Sequence, residues 1–509
     1  MEFKSILNTD PGKQTFNNEM PDFFTDLNLD QVIHAITYGK EEYDLESYFY
    51  SPVPDKNEIL YRQEIMKDLE NPQLFSFLVA FAERMQKMRF EITESAQSAY
   101  PYEKERLFLD AVEIYCTAID TLYNNLSQVK LTAQGLISFR EYLEIYKQSA
   151  EFLSLLGETK SLLNELNSIK YCIRTKELTV EVRYFNAEAE YSREVEHTFE
   201  KFKEEKSKDY RIKFSPTRGM NHVEAAILEG VAKLFPEIFE RLHSFYSRFS
   251  DFRDEIITTF DRQVQFYISY LHHIAPLKEA GLQFCYPEIS TSQKDVFNYD
   301  GFDIALANKL TKEKIKTVCN DFYLKGKERI FIVSGPNQGG KTTFSRTFGQ
   351  LHYIASLGCP VPGREAKLFL FDRIFTHFEK EEKIQNLRSK LEDDLFRIHT
   401  ILQNATPNSI IIMNEILSST TLQDAVFLST KIMEKITSLD CLCVWVTFID
   451  ELLSLSDKTV SMVSAIVPEN PAMRTFKIER KPADGVAYAI SIAEKYKVTY
   501  PSLRKRIQS

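Results

Sequence analysis

Nowhere among the 509 residues does an apolar run approach the roughly 18 needed for a membrane-crossing helix. The opening residues, MEFKSILNTDPGK, also lack the apolar stretch of a secretory signal, so the chain is expected to stay in the cytoplasm. Cysteine is sparse. The seven cysteines are scattered from Cys116 to Cys443 without metal-site spacing, and the number is odd, which argues for reduced thiols rather than a disulfide framework. There is no excess of positive charge: the net charge is −10, so any nucleic-acid binding has to come from a local basic groove. Tryptophan occurs once, as Trp445, yet 38 Phe and 25 Tyr bring the aromatics to 13%, too many for a disordered chain. Low-complexity tracts and internal repeats are absent.

What is present falls into two textures that meet near residue 300. From about Asp22 to His273 the text is poor in glycine and helical in period. Apolar residues recur at three and four, as in Phe108, Val112, Tyr115 and Ile119, and in Phe139, Leu143, Tyr146, Ala150 and Leu153. One stretch departs from this. Leu178 to Tyr184 alternates like a strand, and residues 201–218 interleave lysines and arginines with Phe202, Tyr210 and Phe214. Such a charge run reads either as a solvated helix face or as a contact surface for a DNA backbone. After Tyr299, apolar runs alternate with amphipathic helical text such as Leu387, Leu391, Leu395, Ile398 and Leu402. Arg329–Val333, Ser409–Met413 and Cys441–Val446 predict buried strands, and the alternation predicts a parallel sheet covered on both faces.

The chemistry is concentrated in one segment. Gly335, Pro336, Asn337, Gln338, Gly339, Gly340, Lys341 and Thr342 fit G-x-x-x-x-G-K-[ST] between a predicted strand and a predicted helix. Glycines let backbone N–H groups curl around phosphate oxygens, and a helix N-terminus adds its positive dipole end. The motif assigns Lys341 to the β and γ phosphates of ATP and the Thr342 hydroxyl to Mg²⁺. Downstream, Ser409–Glu415 has the form of a strand that delivers carboxylates beside such a loop. Glu415 is the candidate general base, with an ordinary strand-end carboxylate as the plainer alternative. Position 414, where an aspartate is usual, is asparagine. The Asn414 amide oxygen still accepts from a Mg²⁺-bound water but adds no charge, which implies weaker metal retention or slow turnover.

Ser334 through Thr343 (SGPNQGGKTT) resembles the phosphate loop of the MutS mismatch-repair family, TGPNMGGKST. Family-like text follows in order: Gln350–Pro362 is similar to a helix ending in G-x-x-V-P, and Asp372–Thr376 to D-x-I-F-T. Ser389–Leu395 stands in the place of S-T-F-x-x-E-x, and Ser419–Thr421 in that of a Gly-Thr-rich loop. The likeness covers 320–509. It is weaker upstream, where Tyr50–Asp55 with Ile59, Arg62 and Gln63 resembles the start of the family's helical core.

The resemblance implies a mixed fold. An all-α lever and core with a small clamp insertion at about 175–235 would fill 1–300, and an α/β P-loop NTPase of the ABC/MutS type would fill 301–509. It also implies an ATPase that uses ATP and Mg²⁺, binds mismatched or branched DNA and switches clamp states in DNA repair. Its ATPase domains would pair as a homodimer, with Ser389 reaching the partner's nucleotide; Ser389 as a simple helix cap is the alternative. Thr343 belongs to the same nucleotide set. Three departures stand out. Asn414 replaces the family's aspartate, and Phe448, within Thr447–Leu452, replaces a phosphate-sensing histidine. The chain also begins about where the helical core begins, so a mismatch-reading domain is not expected; Phe202-Lys-Glu204 and Phe235-Pro-Glu237 read as ordinary amphipathic text. An ATP-gated binding module with little hydrolysis, and an ATPase acting on protein partners, remain as other readings.

Overall fold

The computed structural model describes residues 3–9, 16–176, 179–186, 219–379, 390–467, 470–482 and 504. Two compact units emerge. One comprises Met1–Phe3, Asn71–Leu131 and Ile137–Asp261; the other comprises Lys4–Glu70, Thr132–Leu136 and Arg262–Ser509.

The first unit is mostly helical. Its long helices Pro72–Gln97 and Pro101–Gln128 pack along one another. Asn71 caps the first by accepting from the amides of Gln73 and Leu74, with Pro72 in the first turn, where its missing N–H costs nothing. Phe108, Val112, Tyr115 and Ile119 are all buried, as their spacing predicts. The second predicted stripe is broken. The helix Gln134–Lys147 ends, and Ser149 starts a new helix, Ala150–Ser168, by accepting from Phe152 N. The phase resets there, so Phe152 and Leu155 are buried while Leu153 is 54% exposed.

The unit is not all-α, because Tyr171–Lys176 (β1) and Thr179–Tyr184 (β2) form an antiparallel hairpin. Val182 of β2 packs on Gly230 of the helix His222–Leu234, where a Cβ would come within 2.9 Å of it. Leu178, the basic run 201–218 and thus most of the expected clamp fall outside the described residues.

The second unit is built on a six-stranded sheet. Its strands, in chain order with the six others described in the unit, are β3 (Phe284–Cys285), β4 (Glu288–Ser290), β5 (Val296–Gly301), β6 (Asn320–Leu324) and β7 (Ile330–Ser334). There follow β8 (Val361–Pro362), β9 (Glu365–Phe369), β10 (Ile374–Phe378), β11 (Ile410–Asn414), β12 (Leu442–Val446), β13 (Thr459–Val467) and β14 (Asn470–Arg480). The main sheet runs β10-β11-β12-β7-β13-β14, parallel throughout except for the antiparallel edge strand β14. The side sheets β4-β9-β5-β6 and β3-β8 were not predicted.

Both faces of the main sheet are covered, as the apolar runs require. On one lies the helix Lys341–Ser356, with Phe344 and Phe348 against Phe331. Gly349 lets this helix approach closely, since a Cβ there would meet Ile412 and Leu27 at 2.7 Å. On the other, Ile332, Met413 and Trp445 pack with Ile398, Met433 and Ile436 of the helices Lys390–Asn404 and Leu422–Leu439.

The division of the chain at residue 300 does not match these units: Lys4–Glu70 and Arg262–Gly301 pack with the sheet. Arg62 shows why. Its buried guanidinium donates to Leu7 O at 2.8 Å, Leu357 O at 3.2 Å and Asn8 Oδ1 at 3.2 Å. A buried cation needs such fixed acceptors, and one of them lies beyond the end of the Lys341–Ser356 helix. Tyr353 likewise donates to Phe49 O, and Gln350 to Leu27 O.

Candidate functional site

The wholly buried strand β7 delivers the chain to Gly335, and the next helix begins at Lys341. The loop between turns through left-handed backbone at Gly335 (φ +112°), Gln338 (+59°) and Gly340 (+94°). Gly335 needs glycine for φ and for space, because a Cβ would lie 3.0 Å from Ser464 N. A Cβ on Gly339 would come within 2.2 Å of Ser464 Oγ, which donates to Gly339 O at 2.8 Å. Ser464, on β13, thus fixes the loop from behind. No motif announces it, since it is a lone serine in an apolar strand. Pro336 is buried, whereas Asn337 and Gln338 are exposed. Thr343 is half-buried in the first turn of the helix and accepts from Thr347 through its carbonyl.

Lys341 is only 4% exposed. Its Nζ lies 3.1 Å from Gly335 O, 3.3 Å from Pro336 O and 3.2 Å from Asn337 Oδ1, with Glu415 Oε1 at 3.5 Å. Burial holds the ammonium below its ordinary pKa, and the Glu415 carboxylate opposes that shift. Phe448 completes the shell, its ring centroid 4.4 Å from Nζ while the residue remains 56% exposed.

Thr342 Oγ1 donates to Asn414 Oδ1 at 2.9 Å, joining the helix start to the end of β11. Glu415 follows in left-handed backbone (φ +52°), and its amide donates to Val446 O of β12. The carboxyl ends of β7, β11 and β12 therefore bring together Lys341, Thr342, Asn414, Glu415 and Phe448, residues from three separate stretches. Ligands of open parallel sheets settle at such strand ends. Ser389 lies outside the described residues. Ser418 donates to Glu379, and Lys390 forms an ion pair with the same carboxylate. Thr421 caps its helix by accepting from Asp424 N.

The residues fit a magnesium nucleotide. The loop turns its glycines into a concave backbone at a helix N-terminus, next to a fixed cation. Thr342 and Asn414 are hard oxygen donors of the kind that suits Mg²⁺. Among the described residues no cluster of three His, Cys, Asp or Glu could cage a metal alone, so a bound Mg²⁺ would lean on phosphate and water. In the same residues no helix is long and apolar enough to cross a membrane.

Comparison with known proteins agrees with this geometry. The family model for MutS domain V matches residues 331–502. The DNA mismatch repair protein MutS of Orientia tsutsugamushi (strain Boryong) is 28% identical over 216 residues, 42% of this chain and 24% of the relative. The protein of the same name from Thermotoga maritima is 28% identical over 206 residues, 40% and 26% of the two chains. That from Clostridium kluyveri is 27% identical over 262 residues, 49% and 30%. The matched stretch thus spans about a quarter of these relatives' length. By its phosphate loop, by the strands that frame it and by these matches, the segment 331–502 is similar to domain V of the MutS family.

Proposed function

We propose that this chain is an ATPase that binds DNA under nucleotide control, in a transaction related to mismatch repair. The observation that supports it most is the convergence of Lys341, Thr342, Asn414 and Glu415 at three strand ends, in a segment similar to DNA mismatch repair proteins. Gly335 through Thr343 would hold the triphosphate with backbone N–H groups, and Lys341 would neutralise it. Thr342 and Asn414 would ligate Mg²⁺ or its waters, and Glu415 would orient and deprotonate a water. Bound ATP with Mg²⁺ supplies the phosphoanhydride bond that is broken.

A second reading, a module set by ATP occupancy with little hydrolysis, draws on two features of this chain. Asn414 is neutral where a carboxylate would hold the metal, and Phe448 covers the lysine. The helical unit, with the expected clamp at 175–235, is the proposed DNA-contacting part, and 301–509 the proposed ATPase domain. Two chains would pair through the ATPase domains, with Ser389 contributing to the partner's site.

The deciding experiment is a binding panel of homoduplex, mismatched and branched DNA, each with and without ATP, alongside phosphate release. Nucleotide-dependent DNA affinity supports the proposal. ATP hydrolysis without any DNA affinity would point to protein partners instead. Mixing Lys341→Ala with Ser389→Ala tests the pairing: a composite site recovers activity in the mixture, whereas a serine that only caps its helix stays active alone.

A further inference from the structure

Strand β10 ends the main sheet on one side, with β11 and β12 between it and β7. Register fixes which way its peptide groups point. Ile410 N donates to Arg373 O at 2.9 Å, and Ile374 pairs in parallel with Ile410. Along a strand, successive residues turn their N–H and C=O to opposite sides. Arg373, Phe375 and His377 therefore face β11, while Ile374, Thr376 and Phe378 face the open edge. Phe378 bears this out, because its carbonyl accepts from Arg397 of the helix Lys390–Asn404 at 3.2 Å. The outward N–H and C=O groups of Ile374 and Thr376 have no partner among the described residues, although Ile374 is only 6% exposed. Buried peptide groups are nearly always paired.

An open groove of about 600 Å³ runs along this edge, with Ile374, Phe375 and Thr376 as its floor. One wall is the segment Pro21–Asp26, tied to the strand where Thr376 Oγ1 donates to Asp26 Oδ2 at 2.6 Å. The other is the helix Lys390–Asn404, through Phe396, Arg397 and Ile401. Phe375, whose side chain points opposite to that of Thr376, packs with Ile401 and its apolar neighbours. The walls thus cover opposite faces of the sheet, and the groove between them straddles its edge.

Two features name the occupant. Outward N–H and C=O groups repeating along a strand edge are matched by another extended backbone, which carries donors and acceptors at the same pitch. Both charged residues of the wall Pro21–Asp26 are acidic, Asp22 exposed and Asp26 half-buried. Of the nearby cations, Arg346 donates to the Asp26 carbonyl at 2.9 Å and Arg397 is engaged by Phe378. The opposite wall presents Phe396, 52% exposed. An added strand alternates its side chains, so those facing the acidic wall should be basic and those facing Phe396 apolar.

We infer that β10 accepts an added strand, an extended segment of a partner protein in which basic and apolar β-branched residues alternate. The site does not rest on the ATPase reading.

Fluorescence anisotropy on the full chain tests the assignment with a labelled peptide amide of three Lys-Val repeats. It is expected to bind with a Kd below about 1 mM, and peptides of three Lys-Pro or three Glu-Val repeats about tenfold more weakly or worse. Phe396→Asp and Asp22→Lys, both at exposed positions, should each weaken the Lys-Val peptide at least about threefold. Hydrogen exchange should slow in residues 372–378 when the peptide is added. Absence of binding at about 5 mM, equal affinity for either control peptide, an unchanged Kd in both variants, or unaltered exchange in 372–378 overturns the assignment. Loss of self-association in Phe396→Asp, with no peptide bound by the natural protein, would identify a second copy as the occupant and also overturn it.

Discussion

The Phe448 ring lies over the Lys341 ammonium, 4.4 Å from its centroid to Nζ. In this arrangement the lysine already has five partners, namely the ring, two loop carbonyls, the Asn337 amide oxygen and the Glu415 carboxylate. A triphosphate has to compete with all of them. A cation–π contact at a partly exposed site is worth about 0.5–1 kcal/mol. Phe448→Leu should therefore strengthen ATP binding by about two- to fivefold, read by titration with a fluorescent ATP analogue. An unchanged or weaker affinity would mean that the ring does not oppose the nucleotide.

Lys341→Ala removes the one fixed cation of the loop. Charge-assisted hydrogen bonds contribute about 1.5–3 kcal/mol, so ATP affinity should fall about 10- to 100-fold in the same titration. The lone tryptophan is a poor reporter here, because Trp445 is fully buried on the sheet face opposite the helix Lys341–Ser356.

Glu415→Gln should leave ATP binding intact and reduce turnover at least about a hundredfold. Asn414→Asp would give Thr342 a charged neighbour and Mg²⁺ a charged donor. Its expected signature is half-saturation at a lower Mg²⁺ concentration, in phosphate-release assays run across a magnesium series. If the Asn414→Asp and natural proteins give superimposable magnesium curves, the asparagine is no handicap.

His352 makes the sheet unit acid-sensitive. It is fully buried: Nδ1 donates to Phe348 O at 2.8 Å, and Nε2 is buried without a partner among the described residues. Burial pushes its pKa down to about 4 from an ordinary 6.5. Between those values the unfolded chain binds the proton and the folded chain does not, so stability is full above about pH 6.5 and falls as the pH drops towards 4. The loss reaches up to about 3 kcal/mol. Urea midpoints at pH 7 and pH 4.5 should differ less in His352→Leu than in the natural protein.

Arg62→Ala leaves three acceptors unpaired in the interior and opens a cavity beside Gly358, where a Cβ would sit 2.5 Å from the arginine side chain. A cost of about 3–5 kcal/mol is expected, visible as a lowered urea midpoint.

The strands that frame the site were legible because their text is continuous and apolar. β7, β11 and β12 begin and end within one residue of the predicted runs. β5, β6 and β9 were not, since VFNYDG, NDFYL and EAKLF mix polar and apolar residues as half-covered strands do. The loop, Lys341, Thr342 and Asn414 were readable from motif spacing. Ser464 behind the loop and the contact of Phe448 with Lys341 were not, because both join residues more than 100 positions apart. Local periodicity also missed the break at Ser149, where a hydroxyl cap outweighs the continuing apolar stripe.

The acceptors of Arg62 also bear on synthesis. Leu357 is 295 residues downstream, and ribosomes add about 5–20 residues per second. Residues 4–70 of the sheet unit therefore emerge roughly 15–60 s before the strands and the helix that complete their packing. During that interval Phe24, Leu27 and Phe49, all buried in the finished protein, have no sheet to cover them. Slowing translation beyond residue 300 should therefore lower the soluble yield more than slowing it before residue 70.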